Sequence, residues 1–211
     1  MTASEAVFIG ARIYRGSLYG PRHPLSIERV PAVTDLCRAL GWLPQARYRT
    51  SPRAKPSAMT GFHTPGYLAA LQDAEATQSV TAAMRDRHGL GTVSNPVFPE
   101  MYRRPATAVG GGLLAAELLR QIGTVYNPGG GTHHGLPDRA SGFCYLNEPV
   151  LTIRRLLELG LGPVAYVDID AHHCDGVEVG FPAARDVTLI SVHEEGRWPR
   201  TGALTDDAGG A

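Results

Sequence analysis

The residue types in segment 168–177 are those that bind metal ions and transfer protons. Within eight positions the segment carries five ionisable side chains: Asp168, Asp170, His172, His173 and Asp175. The apolar, β-branched run 163–167 before it predicts a buried strand, and ligands of open α/β sheets bind beyond the carboxyl ends of strands. Alternation along a strand places Asp168 and Asp170 on one face. We therefore predict that Asp170 and His172 converge on one ion, because mixed oxygen and nitrogen donors suit Zn²⁺ or another first-row divalent metal.

A second polar segment lies at 127–135, with the sequence NPGGGTHHG, directly after a further predicted strand at 122–126. Its three glycines allow the backbone to approach a ligand closely. The adjacent imidazoles of His133 and His134 diverge on regular structure, so acid–base work is a better prediction than a shared zinc, with a carboxylate holding each tautomer. For both segments the alternative is a polar loop whose side chains make ordinary hydrogen bonds.

Three motifs occur in a fixed order: GGGTHHG at 129–135, SGFCYLNE at 141–148 and VDIDAHHCDGVE at 167–178. In order and spacing they resemble the histone-deacetylase superfamily, and most of all the bacterial acetoin-utilisation-type deacetylases. His23-Pro24 with Arg29, and segments 62–68, 95–99 and 191–193, add to the resemblance, which runs from about residue 20 to the end. It implies an α/β fold of the arginase/deacetylase type, a parallel sheet flanked by helices on both faces.

The resemblance also implies roles for the polar residues. Asp170 and His172 are two of three zinc ligands, and the third, an Asp, lies beyond the equivalent of Ala211. His133 and His134 flank the metal-bound water. Asp168 partners His133, and Asp175 partners His134. We assign the general base to His134 and electrostatic support to His133.

Further positions resemble the family's substrate and ion sites. Gly142 and Phe143 line a narrow channel for an acyl-lysine side chain, and Arg29 lies below it in the foot of the pocket. The resemblance implies that a structural K⁺ binds to the backbone oxygens of Asp168, Asp170, His172 and Val192 and to the Ser191 hydroxyl. It also implies that a second monovalent ion binds to the carbonyls of Phe181 and Val187.

The implied reaction is zinc-dependent hydrolysis of an acetyl or other acyl amide on lysine, a polyamine or a related amine. Family members are longer than this chain, so we interpret residues 1–211 as a single catalytic domain that is incomplete at its C-terminus, from a fragment or a truncated gene. The first alternative is an inactive deacetylase-like protein that lacks the third ligand and acts by association. An arginase-like binuclear hydrolase is disfavoured because tandem His133-His134 suits a single-metal site.

Two positions depart from the family pattern. Cys174 stands where Gly is usual, and Glu148 stands where Asp is usual. Cys174 is close enough in sequence to His172 to add an alternative thiolate ligand. We prefer the interpretation that it fills space, as buried cysteines commonly do.

Composition limits the function classes. The apolar fraction of 43% and charged fraction of 19% are ordinary for a packed α/β protein. Twenty basic and twenty acidic residues cancel, so nothing favours nucleic acid or anionic lipid as a partner. Three widely spaced cysteines and a start without a basic or long apolar segment predict a reducing, cytoplasmic location without a membrane anchor.

Apolar patterning predicts the elements that position these residues. We expect strands at 7–9, near Tyr48, at 122–126, 163–167 and 187–191, and helices at 26–43, 64–71, 79–87, 101–121 and 150–159. Strands that alternate with helices favour a parallel sheet. Gly110, Gly111 and Gly112 fall within the long helix. Because no strand precedes them, they predict close packing rather than phosphate binding.

Overall fold

Strands and helices alternate along the chain, as the patterning predicts. The computed structural model describes residues 6–16, 19, 23 and 26–205. The strands are β1 (Val7–Gly10), β2 (Tyr48–Thr50), β3 (Val125–Tyr126), β4 (Val164–Asp168) and β5 (Val187–Ser191). The helices are α1 (Ile13–Gly16), α2 (Arg29–Ala39), α3 (Pro65–Thr77), α4 (Ala82–His88), α5 (Arg103–Leu118), α6 (Glu148–Glu158) and α7 (Asp175–Gly180).

All the strand pairs among the described residues are parallel, which confirms the predicted α/β class. They form two sheets, one of three strands in the order β2-β1-β3 and one of two strands, β4 and β5. In the second sheet Asp168 lies opposite Ser191, so both strands end at the same level. The polar segments after β4 and β5 therefore begin side by side.

Helices cover the sheets through apolar contacts. α5 packs on the first sheet, where Ala115 meets Val7 and Ile9. α6 and α7 pack on one face of the second sheet through a buried cluster that includes Val150, Val177, Phe181 and Val187. The polar segment after β4 thus emerges from a strand that two helices hold from one side, whereas the segment after β3 leaves the sheet that α5 covers.

The other face of β4 and β5 exposes apolar side chains. Val167 is 59% exposed and Ile169 is 82% exposed, with Ile190 and Val192 beside them at 46% and 63%. The prediction of a buried strand at 163–167 is therefore wrong for one face of β4. An apolar run predicts a strand, but it does not tell which of its two faces the described residues cover.

Helix ends follow local capping chemistry. The Thr64 hydroxyl accepts a hydrogen bond from the Tyr67 N–H, and α3 starts at Pro65, where a proline is well tolerated. α3 runs to Thr77, beyond the predicted end at Leu71.

None of the helices within the described residues combines the length and the apolar composition that crossing a bilayer requires.

The triple glycine of α5 is a close-packing device, as predicted. A Cβ on Gly110 would lie 1.9 Å from the Pro52 carbonyl oxygen. A Cβ on Gly111 would lie 2.9 Å from the Asn127 amide, and one on Gly112 would lie 2.1 Å from a Glu148 carboxylate oxygen. Each glycine therefore lets a different neighbour touch the helix backbone.

We expect Gly110→Ala to lower the free energy of unfolding by about 1–3 kcal/mol, because the added methyl overlaps a backbone carbonyl that cannot rotate away. Gly66→Ala on α3 is the matched control, since its Cβ would meet nothing within 4 Å. That change should raise stability by up to about 1 kcal/mol. Urea unfolding measures both values, and equal effects at the two sites would contradict the packing argument.

Candidate active site

Polar side chains from separate segments meet at one cavity of about 520 Å³. His133 and His134 come from the loop after β3, and Asp170 and His172 come from the loop after β4; all four line the cavity. The predicted site residues are thus brought together by the carboxyl ends of parallel strands.

Each imidazole of the pair has its own carboxylate. The Nδ1 of His133 lies 2.6 Å from Oδ2 of Asp168, and the Nδ1 of His134 lies 2.6 Å from Oδ1 of Asp175. Both imidazoles are buried, and their ring centroids are 4.0 Å apart. Because Nδ1 donates to a carboxylate in each ring, Nε2 is the nitrogen available to accept a proton.

Asp168 is held in its ionised form. Its carboxylate also accepts hydrogen bonds from the Tyr166 hydroxyl at 2.6 Å and the Asp170 N–H at 3.0 Å. Burial opposes ionisation, but the hydrogen bonds from His133, Tyr166 and Asp170 outweigh it and lower the pKa of Asp168 to about 2. The negative charge beside His133 can therefore stabilise an imidazolium.

Tyr166 was not singled out in the sequence. It lies two positions before Asp168 on β4, so strand periodicity alone places both side chains on one face. A tyrosine two residues before a functional carboxylate was the signal that could have identified it.

Asp170 and His172 lie side by side, and their convergence on one metal ion remains a prediction. Oδ1 of Asp170 lies 2.8 Å from Nδ1 of His172 and 2.8 Å from its backbone N. Burial opposes ionisation of Asp170, but these bonds from His172 outweigh it and lower the pKa of the carboxyl. An ionised carboxylate beside an imidazole nitrogen is a donor pair that zinc accepts.

These two donors fit part of a metal site. Among the residues that the structure describes, no group of three or more His, Cys, Asp and Glu side chains is arranged to hold a metal ion. A catalytic zinc ordinarily has three protein ligands. Asp170 and His172 therefore fit the implied zinc by donor type, and a further ligand is needed to complete the set.

Two aromatic rings contribute to the walls of the cavity. Phe143 takes positive φ, and its backbone N–H donates to the side-chain oxygen of Asn95 at 3.1 Å. Trp198 contacts His134 edge-to-face, with ring centroids 4.6 Å apart. A Cβ on Gly142 would lie 2.5 Å from the Trp198 ring, so glycine is required for this approach.

Trp198 was not identified from the sequence. It follows β5 in a segment without helix or strand periodicity, and no sequence signal indicated its contact with His134.

The predicted substrate-site residues Arg29, at the start of α2, and Gly142 both line this cavity. His23 is buried and packs edge-on to Phe143, with ring centroids 4.7 Å apart. Pro24, which follows His23, lies outside the described residues.

The residues assigned to monovalent ions lie in two places. At the first, the Asp168 carbonyl accepts the Val192 N–H at 2.8 Å, and the Ser191 hydroxyl lies 2.9 Å from Nδ1 of His193. At the second, Phe181 and Val187 belong to the buried cluster beneath α7. The K⁺ assignments at both places remain predictions.

Cys174 is 1% exposed. Burial raises the pKa of its thiol to about 11, so the side chain is a neutral thiol near neutral pH. A buried neutral thiol supports the space-filling interpretation over a thiolate ligand.

Comparison with known proteins agrees with this geometry. The model of the histone deacetylase domain matches residues 23–211. The acetoin utilization protein AcuC of Bacillus subtilis is 33% identical over 98% of this chain, which spans 54% of that protein. Human histone deacetylase 1 is 32% identical over 91% of this chain and 40% of its own length.

Solved structures show the same similarity. A crystal structure of an HDAC homolog complexed with SAHA superposes with a TM-score of 0.87 at 33% identity, covering 92% of this chain and 52% of that one. A crystal structure of an HDAC homolog from Aquifex aeolicus gives the same values. The chain spans about half the length of the relatives it matches. Both the domain match and the structural similarity show that the chain belongs to the histone deacetylase family.

Proposed function

We propose that this protein takes part in hydrolysis of an acyl amide, with Zn²⁺ as the metal and an acetylated lysine, polyamine or related amine as the substrate. The observation that carries the proposal is the pair of His–Asp hydrogen bonds, both 2.6 Å long and both formed through Nδ1. Two oriented imidazoles beside a carboxylate–imidazole donor pair are suited to metal-assisted hydrolysis.

His134 is the proposed general base. Its Nδ1–H donates to Asp175, so Nε2 can take a proton from the attacking water and then deliver it to the leaving amine. The imidazolium that forms between these steps is stabilised by the Asp175 carboxylate. His133 supplies electrostatic support, and its ring is oriented by the hydrogen bond from Nδ1 to ionised Asp168.

The metal would be held by Asp170, His172 and a further ligand, and when bound it would activate water and polarise the acyl oxygen. The aromatic rings of Phe143 and Trp198 in the cavity wall support a substrate that carries an aliphatic chain on its acylated nitrogen. We further propose that K⁺ binds where the resemblance implies and that the protein works in the cytoplasm.

The test combines metal binding with turnover. Purified protein that carries the complete set of three zinc ligands should bind one Zn²⁺ per chain by equilibrium dialysis and release acetate from an acetyl-lysine peptide or an acetylated polyamine. Asp170→Asn should weaken zinc binding by about tenfold or more and abolish turnover, since it removes a charged donor. Asp73→Asn, at an exposed carboxylate on α3, is the control and should change neither.

Other outcomes identify other functions. Two metal ions per chain would favour an arginase-like binuclear hydrolase. Zinc binding without turnover of any acylated amine would favour the second candidate, an inactive deacetylase-like protein. The observation that favours this candidate is that the described residues bring together two metal donors and no complete set.

A further inference from the structure

The start of α6 contacts the loop that carries the two imidazoles, and Glu148 makes one of these contacts. Glu148 is buried. Its Oε2 accepts the backbone N–H of Gly131 at 2.9 Å, and its Oε1 accepts the Thr152 hydroxyl at 2.7 Å. The carboxylate therefore joins α6 to the loop two residues before His133.

Glycines on two segments make room for this carboxylate. A Cβ on Gly112 of α5 would lie 2.1 Å from Oε1, and a Cβ on Gly130 would lie 2.4 Å from Oε2. Burial raises the pKa of Glu148, and hydrogen bonds from Gly131, Thr152 and Asn127 oppose that rise. Gly112 and Gly130 thus leave room for the side chain of Glu148, which stands where the family usually has an aspartate.

Asn147 holds the other side of the same loop. Its side-chain amide donates to the carbonyls of His133 at 3.1 Å and Gly135 at 2.9 Å. Its side-chain oxygen caps α6 by accepting the Val150 N–H at 3.0 Å. The loop is thus attached to α6 immediately before, at and after the imidazole pair.

Asp168 and Asp175 bond to this loop through its imidazole rings and lie on other elements, so they align the rings and leave the loop backbone to other contacts. We propose that Glu148 is a positioning residue that keeps the backbone of His133 and His134 in register with those two carboxylates. This inference rests on the proposed acyl-amide hydrolysis. A displacement of about 1 Å at a reacting group can cost up to about 10²-fold in rate.

Glu148→Gln is the main test, because it keeps the size of the side chain and removes its charge and one acceptor. With acetyl-lysine peptide as substrate, kcat should fall by about 10- to 100-fold, while KM and zinc stoichiometry stay within about twofold. Glu158→Gln, on the exposed end of the same helix, is the matched control and should leave kcat unchanged. Thr152→Val, which removes only the hydroxyl that holds Oε1, should lower kcat in the same direction by a smaller factor.

A second measurement does not depend on turnover. Amide hydrogen exchange in Glu148→Gln should accelerate by about tenfold or more at residues 129–135, because the loop loses an anchor, and stay unchanged along β4. If Glu148→Gln does not fold, both measurements on Thr152→Val decide the matter.

Wild-type kcat and wild-type exchange in a folded Glu148→Gln protein would overturn the inference, and so would faster exchange spread evenly over the chain. Failure of the proposed function is distinguishable. If His134→Ala leaves turnover unchanged, the reaction assignment is wrong, while the exchange measurement still reports on Glu148.

Discussion

Replacing His134 with alanine is expected to lower kcat for deacetylation of an acetyl-lysine peptide by about 10²- to 10⁴-fold, the usual range for loss of a general acid–base group. KM should change little, since the ring acts on the water and the leaving amine rather than on the bound chain of the substrate. Zinc content should also persist, because the proposed donors are Asp170 and His172. Steady-state kinetics on zinc-loaded protein measures all three quantities.

Two further variants separate the roles of the two imidazoles. Asp175→Asn should lower kcat by a smaller factor than His134→Ala, since the base remains but its tautomer is no longer held by a carboxylate. His133→Ala should retain more activity than His134→Ala. If His133→Ala is the more damaging change, the base and the electrostatic group have been assigned in the wrong order.

The main contacts of the candidate site could be predicted because they follow from residue type and strand ends. Asp168 and Asp170 come directly after an apolar run, and spacing alone predicts a shared face. Residue type alone predicted a nearby carboxylate for each adjacent histidine, and the resemblance to the family implied which carboxylate pairs with which ring. The structure places His133 and His134 within hydrogen-bonding distance of those carboxylates.

Other features depend on tertiary contacts that no local pattern contains. Trp198 reaches His134 only because Gly142 lacks a side chain where the ring passes. Glu148 lies in the first turn of α6, and its contact with Gly131 depends on how α6 packs against the loop. The exposure of Val167 likewise depends on which face of β4 the helices cover. Periodicity identifies elements, whereas such contacts depend on how the elements pack.

Lowering the pH should reduce the free energy of unfolding of this protein because His63 is buried in its neutral form. His63 is 1% exposed. Its Nδ1 lies 3.0 Å from the Leu136 carbonyl, to which it donates, and its Nε2 accepts the Asn147 N–H at 2.9 Å. The neutral ring is therefore fully hydrogen-bonded, and a proton on Nε2 would face a donor. Burial lowers the pKa of His63 from 6.5 to about 4.

The sign of the pH effect follows from these two pKa values. Between about pH 4 and pH 6.5 the unfolded chain binds a proton on His63 that the folded chain does not, so the free energy of unfolding falls as the pH is lowered. The contribution is complete above 6.5 and is lost progressively toward 4. One pKa unit is worth about 1.4 kcal/mol, so the loss over the whole window is about 3 kcal/mol.

Urea unfolding of wild type and His63→Gln across this pH window measures the effect. Glutamine can donate and accept but does not titrate, so the variant should lose about 3 kcal/mol less than wild type on acidification, even if it is less stable at neutral pH. All other titrating groups are common to both proteins and cancel in the comparison. Parallel pH profiles for the two proteins would show that His63 is not held neutral.

The Nε2 of His63 also accepts the N–H of Asn147, whose side-chain amide donates to the carbonyl of His133. Hydrogen exchange at residues 129–135 should therefore accelerate in wild type over the same pH range, after correction for the intrinsic pH dependence of exchange.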